Sequence, residues 1–277
     1  MKTRVLTSLV AIAILVPVLI FADYPVLPFA IAICSVIAVY EMLKCLSLHQ
    51  SVAMGCPFYL IACGMPFLVR YLGIGRLQSA VLGATVLCLL YLFAVMIFSH
   101  GKYTPLQVGI CFFSLFYILI GFNSIIFIHD FEQGGEYIYL VAFLGAWITD
   151  IFAYFCGMLF GRGGKHKLIP DVSPKKTVEG SVGGILFCVL SMILFGVIVD
   201  ALEPGLDANL WIFALAGLAI SIVAQIGDLS MSVLKRHYGI KDYGKLFPGH
   251  GGILDRFDSV LAVSTVLLVL CSFFNFF

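Results

Sequence analysis

Charged residues are scarce in this sequence. Only 11% of its 277 residues are Asp, Glu, Lys or Arg, whereas a soluble domain usually has about 25%. Hydrophobic residues make up 62% of the chain, more apolar surface than a soluble fold of this length could bury. The composition therefore indicates a protein whose main solvent is the lipid bilayer. The net charge is only +1 and no basic tract with interleaved aromatic residues occurs, so we expect no nucleic-acid partner.

Paired cysteine spacings are also absent. The nine cysteines include no CxxC, and most lie inside apolar runs, where cysteine behaves as a small hydrophobic residue. We therefore expect neither a disulfide framework nor a zinc site. No A-x-A-like cleavage site follows the first apolar run, so we expect that run to be retained as a helix. The chain has no low-complexity tract and no clear internal repeat.

The apolar residues form long continuous segments. Nine such segments each approach the about 20 residues that a membrane-spanning helix needs. They lie near 5–22, 26–45, 52–72, 78–98, 106–128, 137–160, 181–199, 209–234 and 256–275. We therefore predict an all-α polytopic membrane protein with about nine transmembrane helices. All of it, 1–277, is expected to form a single domain, in which 1–135 holds the first five helices and 136–277 the last four.

Basic residues predict the orientation of these helices. With a cytoplasmic N-terminus, all of the 16 lysines and arginines except Arg70 and Arg76 fall on the cytoplasmic side, as the positive-inside rule requires. The acidic residues of the predicted outer loops support this orientation: Asp23, Asp130, Glu132, Glu136, Asp200, Glu203 and Asp207. Nine spans then place the C-terminus outside. The two long polar connections, 161–180 and 235–255, share the cytoplasmic face.

A line of polar side chains closes the eighth apolar segment. On a helix, Asp228, Ser232, Lys235 and Arg236 lie at i, i+4, i+7 and i+8 and share one face, together with Gln225. Snorkelling to the membrane interface would explain the lysine and the arginine. It would not explain Asp228, because a carboxylate within a membrane helix is costly unless it is paired, hydrated or bound to a cation. This face is therefore a candidate site.

The connection after this helix is rich in glycine. Its run 248–252 reads Pro-Gly-His-Gly-Gly, which cannot form regular helix. Free N–H groups of such a loop can cradle phosphate oxygens, and Lys241 and Lys245 add positive charge. A simple turn would also explain the glycines, and a structural histidine would explain His250.

Two carboxylates, Asp255 and Asp258, open the last apolar segment at i and i+3. Acidic residues in a first turn suit the helix dipole. Carboxylates beside a phosphate-binding loop are also the ligands that Mg²⁺ uses. Since this helix begins where the previous one ends, at the cytoplasmic side, we expect the hairpin to bring Asp228 towards them.

The sixth segment and the connection after it form a second constellation. Asp150, Tyr154, Gly157 and Gly161 share one helical stripe, and its glycines allow close helix packing. Asp150 is about 15 Å from the cytoplasmic end of the helix at 1.5 Å per residue. The segment 173–180 then reads Ser-Pro-Lys-Lys-Thr-Val-Glu-Gly. A solvated basic loop, capped by its glutamate at the next helix start, would also explain that segment.

From Ser232 to Asp258 the chain follows the pattern S-x-L-K-R-x4-K-D-x-G-x2-F-P-x-H-G-G-I-x-D-R-F-D. This run of 27 residues is similar to the signature of the phosphatidate cytidylyltransferase (CDP-diacylglycerol synthase) family, without any departure. The segment 173–180 resembles the S-P-K-K-T-x-E-G segment of the same family. The similarity to bacterial members extends through most of the chain, although the first five helices carry little diagnostic sequence.

This resemblance implies an enzyme that transfers the CMP moiety of CTP to phosphatidic acid, giving CDP-diacylglycerol and pyrophosphate for phospholipid biosynthesis. It implies Mg²⁺ as a cofactor and a multi-pass location in the cell inner membrane, with the active site facing the cytoplasm. It leaves open a second, monovalent cation and a homodimer. The lipid phosphate is the nucleophile, so no nucleophilic side chain is required.

The resemblance also implies roles for particular residues. Asp228 and Asp255 are the expected Mg²⁺ ligands and belong to the expected catalytic set. That set adds Asp150, Lys235, Arg236 and Asp258. The expected substrate-binding residues contact phosphate groups or support residues that do so: Ser173, Lys175, Lys176, Thr177, Glu179, Gln225, Ser232, Lys241, Asp242, Pro248, Gly249, His250, Gly251, Gly252 and Arg256.

Two alternatives belong to other functional classes. A CTP-dependent lipid kinase of the polyprenol or phytol type resembles this family in its nucleotide region but transfers the γ-phosphate to an alcohol. The complete K-D…P-G-H-G-G…D-R-x-D run favours the cytidylyltransferase. A membrane transporter usually shows broken helices or inverted repeats, and this sequence indicates neither. The D-G-x2-A-R-x8-G-x3-D-x3-D run of the CDP-alcohol phosphotransferases is also absent.

Overall fold

The fold is seen in a computed structural model that describes residues 2–72, 74–161 and 166–277. Within these residues, nine α-helices and one β-hairpin occur. The helices are α1 (Lys2–Ile20), α2 (Val26–Cys45), α3 (Val52–Tyr71), α4 (Ile74–Phe98), α5 (Pro105–His129), α6 (Gly135–Phe160), α7 (Val178–Leu202), α8 (Leu210–His237) and α9 (Leu254–Phe273). The strands are β1 (Lys167–Ile169) and β2 (Ser173–Thr177).

Length and apolar composition confirm the predicted all-α membrane fold. Eight of the described helices, α2 to α9, are long and apolar enough to cross a membrane, and α1 contributes a shorter apolar stretch, Leu9–Ile20. Each helix begins and ends within about one helical turn of its predicted position. The orientation of the termini stays a prediction.

Many large apolar side chains point away from the protein. Trp211, Phe98 and Phe113 are mostly exposed, which suits a lipid solvent and would be costly in water. A helix satisfies its backbone hydrogen bonds internally, so long apolar runs in a bilayer form helices. The same rule tolerates Pro57 and Pro66 inside α3, because neighbouring groups in membrane helices can satisfy the freed backbone oxygens.

The connection 161–180 contains the β-hairpin, which the sequence did not predict. Strand β1 pairs antiparallel with β2, with Lys167 opposite Thr177. The Ser-Pro-Lys-Lys run of β2 has low strand propensity, so the local sequence hides the strand. Thr177 ends β2 and caps α7, since its side chain accepts the N–H of Gly180 at 3.1 Å. Arg162 and Lys165, counted among the basic residues of this connection, lie outside the described residues.

The chain forms two compact units. The first consists of Met1–Ile126 and Tyr238–Arg256, and the second of Phe127–His237 and Phe257–Phe277. In the first unit, α2 packs against α3 and α3 against α4. In the second, α6, α7 and α8 all pack against one another. The prediction of a single domain divided after residue 135 stays a prediction.

Glycines bring α6 and α7 into backbone contact in the second unit. A Cβ atom at Gly180 would lie 2.4 Å from the carbonyl oxygen of Ala153, a distance that excludes any side chain. A Cβ atom at Gly157 would lie 2.9 Å from Oγ1 of Thr177. The predicted packing role of Gly157 is thereby confirmed. This contact fixes α6, which carries Asp150, against the end of β2.

Candidate active site

In the second unit, one face of α8 carries polar residues in the predicted arrangement. The hydroxyl of Ser232 donates to Oδ1 of Asp228 at 3.5 Å, as expected for neighbours at i and i+4. Lys235, one turn further, is only 8% exposed. Its ammonium group is therefore held inside the protein rather than at the interface.

A salt bridge connects this face of α8 to strand β2. Nζ of Lys176 lies 2.5 Å from Oδ2 of Asp228, and both side chains are mostly buried. Such a pair is strongly coupled because little water screens the two charges. Two segments that the sequence singled out separately, 173–180 and the end of α8, thus meet in this unit.

The first turns of α9 add further carboxylate contacts to the same cluster. Oδ2 of Asp258 lies 4.0 Å from Nζ of Lys235, and Oδ1 accepts the N–H of Ser259 at 2.9 Å. The hydroxyl of Ser259 donates to Oδ2 of Asp150 at 3.3 Å. The carboxylate of Asp258 interacts electrostatically with three charged neighbours, Asp228, Lys235 and Asp150.

We call this group of Asp150, Asp228, Asp258, Lys176 and Lys235 the charge cluster. Among the described residues, no three His, Cys, Asp or Glu side chains form a ready-made metal site. Mg²⁺, however, commonly binds one or two carboxylates and takes its remaining ligands from phosphate oxygens and water. The donors of the charge cluster therefore suit a divalent cation that is bound together with a phosphate group.

In the first unit, the glycine-rich connection is folded around a tight turn. The N–H of His250 donates to the carbonyl oxygen of Phe247 at 2.9 Å. Pro248 and Gly249 occupy the two central positions, and Gly249 has a φ of 81°, as a type II turn requires. Gly251 has a φ of 87° and pairs with Phe247 through N–H···O bonds of 2.8 and 3.1 Å. Both glycines are therefore needed for backbone conformation.

This turn borders a cavity of about 690 Å³, a size typical of small-molecule sites. Three cationic side chains, Lys241, Lys245 and Arg256, line the cavity together with His250. The predicted substrate-binding residues of this connection all line it, except Gly252. A cavity of this volume and charge fits an anion of nucleotide size.

Asp255 organises the backbone of the same connection. Its Oδ2 accepts the N–H groups of Tyr243 at 2.8 Å, Gly252 at 2.9 Å and Gly244 at 3.4 Å. These three bonds satisfy Oδ2 and direct it at the loop. Its predicted role as a Mg²⁺ ligand with Asp228 stays a prediction.

A family model of the cytidylyltransferases matches residues 2–274. The chain belongs to the cytidylyltransferase family. Three similar relatives are named phosphatidate cytidylyltransferase, and each comparison covers 98% of both chains. The protein of Staphylococcus haemolyticus is 34% identical over 272 residues, that of Staphylococcus epidermidis 34% over 271, and that of Staphylococcus aureus 33% over 275. The resemblance found in the sequence is therefore confirmed.

Several residues expected to bind substrate in this cytidylyltransferase have contacts within the protein. Gln225 is buried, and its side-chain oxygen accepts a hydrogen bond from the hydroxyl of Ser181, so it links α8 to α7. Oε1 of Glu179 lies 2.6 Å from Nδ1 of His166. Lys175 is exposed on β2, and Arg236 is exposed at the end of α8. Contact of these residues with substrate stays a prediction.

Three residues at the two sites were not predicted from the sequence. Ser259 links Asp258 to Asp150, and Thr7 lies 2.8 Å from Nδ1 of His250 through its hydroxyl. No spacing in the sequence indicates these two contacts. Glu41 in α2 is different, because an acidic residue within an apolar helix is itself a signal of a special site.

Proposed function

We propose that this member of the cytidylyltransferase family transfers the CMP moiety of CTP to phosphatidic acid, giving CDP-diacylglycerol and pyrophosphate. The observation that carries the proposal is the contact of Lys176 with Asp228. It joins the segment 173–180, which resembles a motif of this family, to the helix that leads into the 232–258 signature. The relatives that match this chain over 98% of its length are named for this reaction.

The reaction brings together two anions, so charge repulsion is its main barrier. A phosphate oxygen of the lipid attacks the α-phosphorus of CTP, and the bond from that phosphorus to the bridging oxygen of the β-phosphate breaks. Pyrophosphate leaves with the electron pair of that bond. The lipid phosphate is already ionised at neutral pH, so no general base is needed. Lys176 and Lys235 of the charge cluster would lower the repulsion and stabilise the crowded transition state.

The carboxylates of the charge cluster have two functions: they orient the lysines and they would bind a cation. Without substrate, Asp228 holds Lys176 and Asp258 attracts Lys235, so both ammonium groups remain oriented. We propose that Asp228 and Asp258 would hold Mg²⁺, which would supply further neutralisation of the triphosphate. Asp255 as the Mg²⁺ ligand beside Asp228, a monovalent cation and a homodimer remain expectations from the resemblance.

The cavity beside the type II turn supports a role in holding the triphosphate. Lys241, Lys245 and Arg256 are exposed and line it. Backbone N–H groups contribute less than the glycines suggest, since those of Tyr243, Gly251 and Gly252 are donated to protein oxygens. We therefore assign most phosphate contact in this cavity to side chains.

We further propose that the protein lies in the cell inner membrane with its active site towards the cytoplasm, where CTP is found. The distribution of basic residues supports this orientation. Cysteine labelling can test it. A cysteine added to the 161–180 connection should not react with a membrane-impermeant maleimide in intact cells, but it should react once the membranes are opened or inverted. Reaction in intact cells would contradict the orientation.

The reaction can be tested with purified protein in detergent micelles that contain phosphatidic acid. CTP labelled in the cytosine ring should deliver its label to the lipid product, and the activity should disappear with EDTA and return with Mg²⁺. A lipid product labelled only from the γ-phosphate would instead identify a CTP-dependent lipid kinase. Full activity in EDTA would contradict the Mg²⁺ proposal and leave the transferase proposal intact.

A further inference from the structure

Glu41 is a buried carboxylate inside a membrane helix. It lies near the end of α2 and is only 4% exposed. A carboxylate in such a position is costly unless hydrogen bonds satisfy it. Here Oε1 accepts the N–H of Ile253 at 3.1 Å, and Oε2 accepts the N–H of Leu254 at 2.9 Å. Two consecutive backbone N–H groups, at the very start of α9, thus bind the two oxygens of one side chain.

Two glycines make room for this carboxylate. A Cβ atom at Gly244 or at Gly252 would lie 2.0 Å from Oε1 of Glu41. Neither glycine has its φ in the left-handed region, so backbone conformation does not require glycine at these two positions. The space taken by Glu41 does require it. Gly249 and Gly251 differ, because their positive φ angles themselves favour glycine. The glycines of this connection therefore serve two purposes: backbone conformation at 249 and 251, and space for Glu41 at 244 and 252.

Glu41 and Asp255 accept hydrogen bonds from different backbone N–H groups of the connection. Asp255 accepts the N–H groups of Tyr243 and Gly252, whereas Glu41 accepts those of Ile253 and Leu254. Asp255 belongs to the connection itself, but Glu41 is 212 residues before Ile253 in sequence and lies on α2. Glu41 therefore attaches the end of this connection to α2 of the first unit, whereas Thr7 contacts His250 from α1.

We propose that Glu41 is a positioning residue for nucleotide binding. By holding the backbone from Gly244 to Leu254, it keeps the cationic wall of the neighbouring cavity in place before the nucleotide arrives. Preorganisation of this kind improves binding because ordering is not required at the moment of association. Glu41 itself does not line the cavity. The proposal rests on the proposed function, since it assigns the cavity to the CTP phosphates.

Glu41→Gln is the sharpest substitution, because it keeps the size of the side chain. An amide offers one acceptor oxygen, and its NH₂ group would face a backbone N–H. We expect the KM for CTP to rise about tenfold, the effect of losing one charge-assisted hydrogen bond, while the KM for phosphatidic acid changes less than about twofold. Glu41→Asp keeps the charge and should recover part of the loss. Glu132→Gln, an exposed glutamate before α6, is the matched control and should match the unchanged protein.

Limited trypsin digestion gives a readout that does not need the reaction. Lys245 is exposed in the connection, and cleavage there requires the backbone to open locally. In the absence of nucleotide, Glu41→Gln should increase the rate of cleavage after Lys245 by about tenfold. If the unchanged protein shows no CTP activity, the proposed function fails, yet digestion still tests the role of Glu41. Unchanged digestion together with an unchanged KM for CTP would overturn the positioning role.

A double substitution protects the test against simple misfolding. Gly252→Ala places a methyl group against Glu41 and should raise the KM for CTP. Adding Glu41→Asp shortens the acidic side chain by one methylene and makes room for that methyl group. The double variant should therefore be less impaired than Gly252→Ala alone, a coupling that independent sites do not show. Additive effects of the two substitutions would contradict the proposal.

Discussion

The two units bury acidic side chains in different ways. In the charge cluster of the second unit, Asp228 and Asp258 face the ammonium groups of Lys176 and Lys235. In the first unit, Glu41 and Asp255 face backbone N–H groups. Both arrangements reduce the cost of a buried carboxylate, but their partners differ in mobility.

The two kinds of partner allow different responses to a ligand. A lysine can exchange one anion for another, so a carboxylate–lysine pair can reorganise when a phosphate arrives. A backbone N–H has a fixed direction and cannot follow a ligand. We therefore expect substitutions in the charge cluster to change mainly kcat, and substitutions of Glu41 and Asp255 to change mainly the binding of CTP and the order of the connection.

Asp228→Asn tests the charge cluster most severely. It removes the anion that holds Lys176, and under the proposed function it also removes a Mg²⁺ ligand. We expect kcat to fall by about 10³-fold, the size of effect typical of a lost electrostatic group at a reacting centre. Lipid product formed from cytosine-labelled CTP is the measurement. Asp171→Asn, an exposed aspartate in the turn between β1 and β2, is the control and should remain active.

Asp258→Asn and Asp255→Asn, only three residues apart, compare the two regions directly. Asp258→Asn should lower kcat by about 100-fold. Asp255→Asn should raise the KM for CTP by about tenfold, because it weakens the bonds to Tyr243 and Gly252. Titration with Mg²⁺ separates the explanations. A large shift in the Mg²⁺ requirement of Asp255→Asn alone would restore its predicted role as the metal ligand.

Lys176→Gln breaks the salt bridge between β2 and α8. Under the proposed function it also removes a positive charge that stabilises the transition state. We therefore expect kcat/KM to fall by about 30-fold, equivalent to about 2 kcal/mol. Lys167→Gln removes an exposed lysine from the opposite strand of the same hairpin. If both variants lost activity equally, the net charge of the hairpin would matter rather than the contact with Asp228.

The sequence predicted the helices well because their signal is local. About 20 consecutive apolar residues specify a membrane span regardless of what surrounds them. The shared face of Asp228 and Ser232 was equally predictable, since it follows from 3.6 residues per turn. The β-hairpin was missed because its Ser-Pro-Lys-Lys strand is stabilised by pairing with β1 rather than by its own propensity.

The contacts at the two sites depend on tertiary structure and were less predictable. Nothing in the sequence pairs Lys176 with Asp228 rather than with another acidic residue. The sequence indicated a turn at Pro248 and Gly249. It did not explain the glycine at position 252, because the side chain that fills the space there, Glu41, lies on α2. Glu41 could have been singled out, since an acidic residue in an apolar helix needs a partner; only the structure shows which partner it has.

Ser259→Ala should have the smallest effect and gives the finest test of the charge cluster. It removes the hydroxyl that donates to Asp150 at 3.3 Å and leaves the backbone N–H bond to Asp258 intact. We expect kcat to fall about fivefold, equivalent to about 1 kcal/mol for one hydrogen bond to a charged group. Ser264→Ala, on the same helix, removes a buried hydroxyl that donates to the Leu261 carbonyl oxygen and should leave kcat unchanged. Equal losses in both variants would mean that α9 is sensitive to any buried hydroxyl, whereas a loss confined to Ser259→Ala would show that the position of Asp150 matters to the reaction.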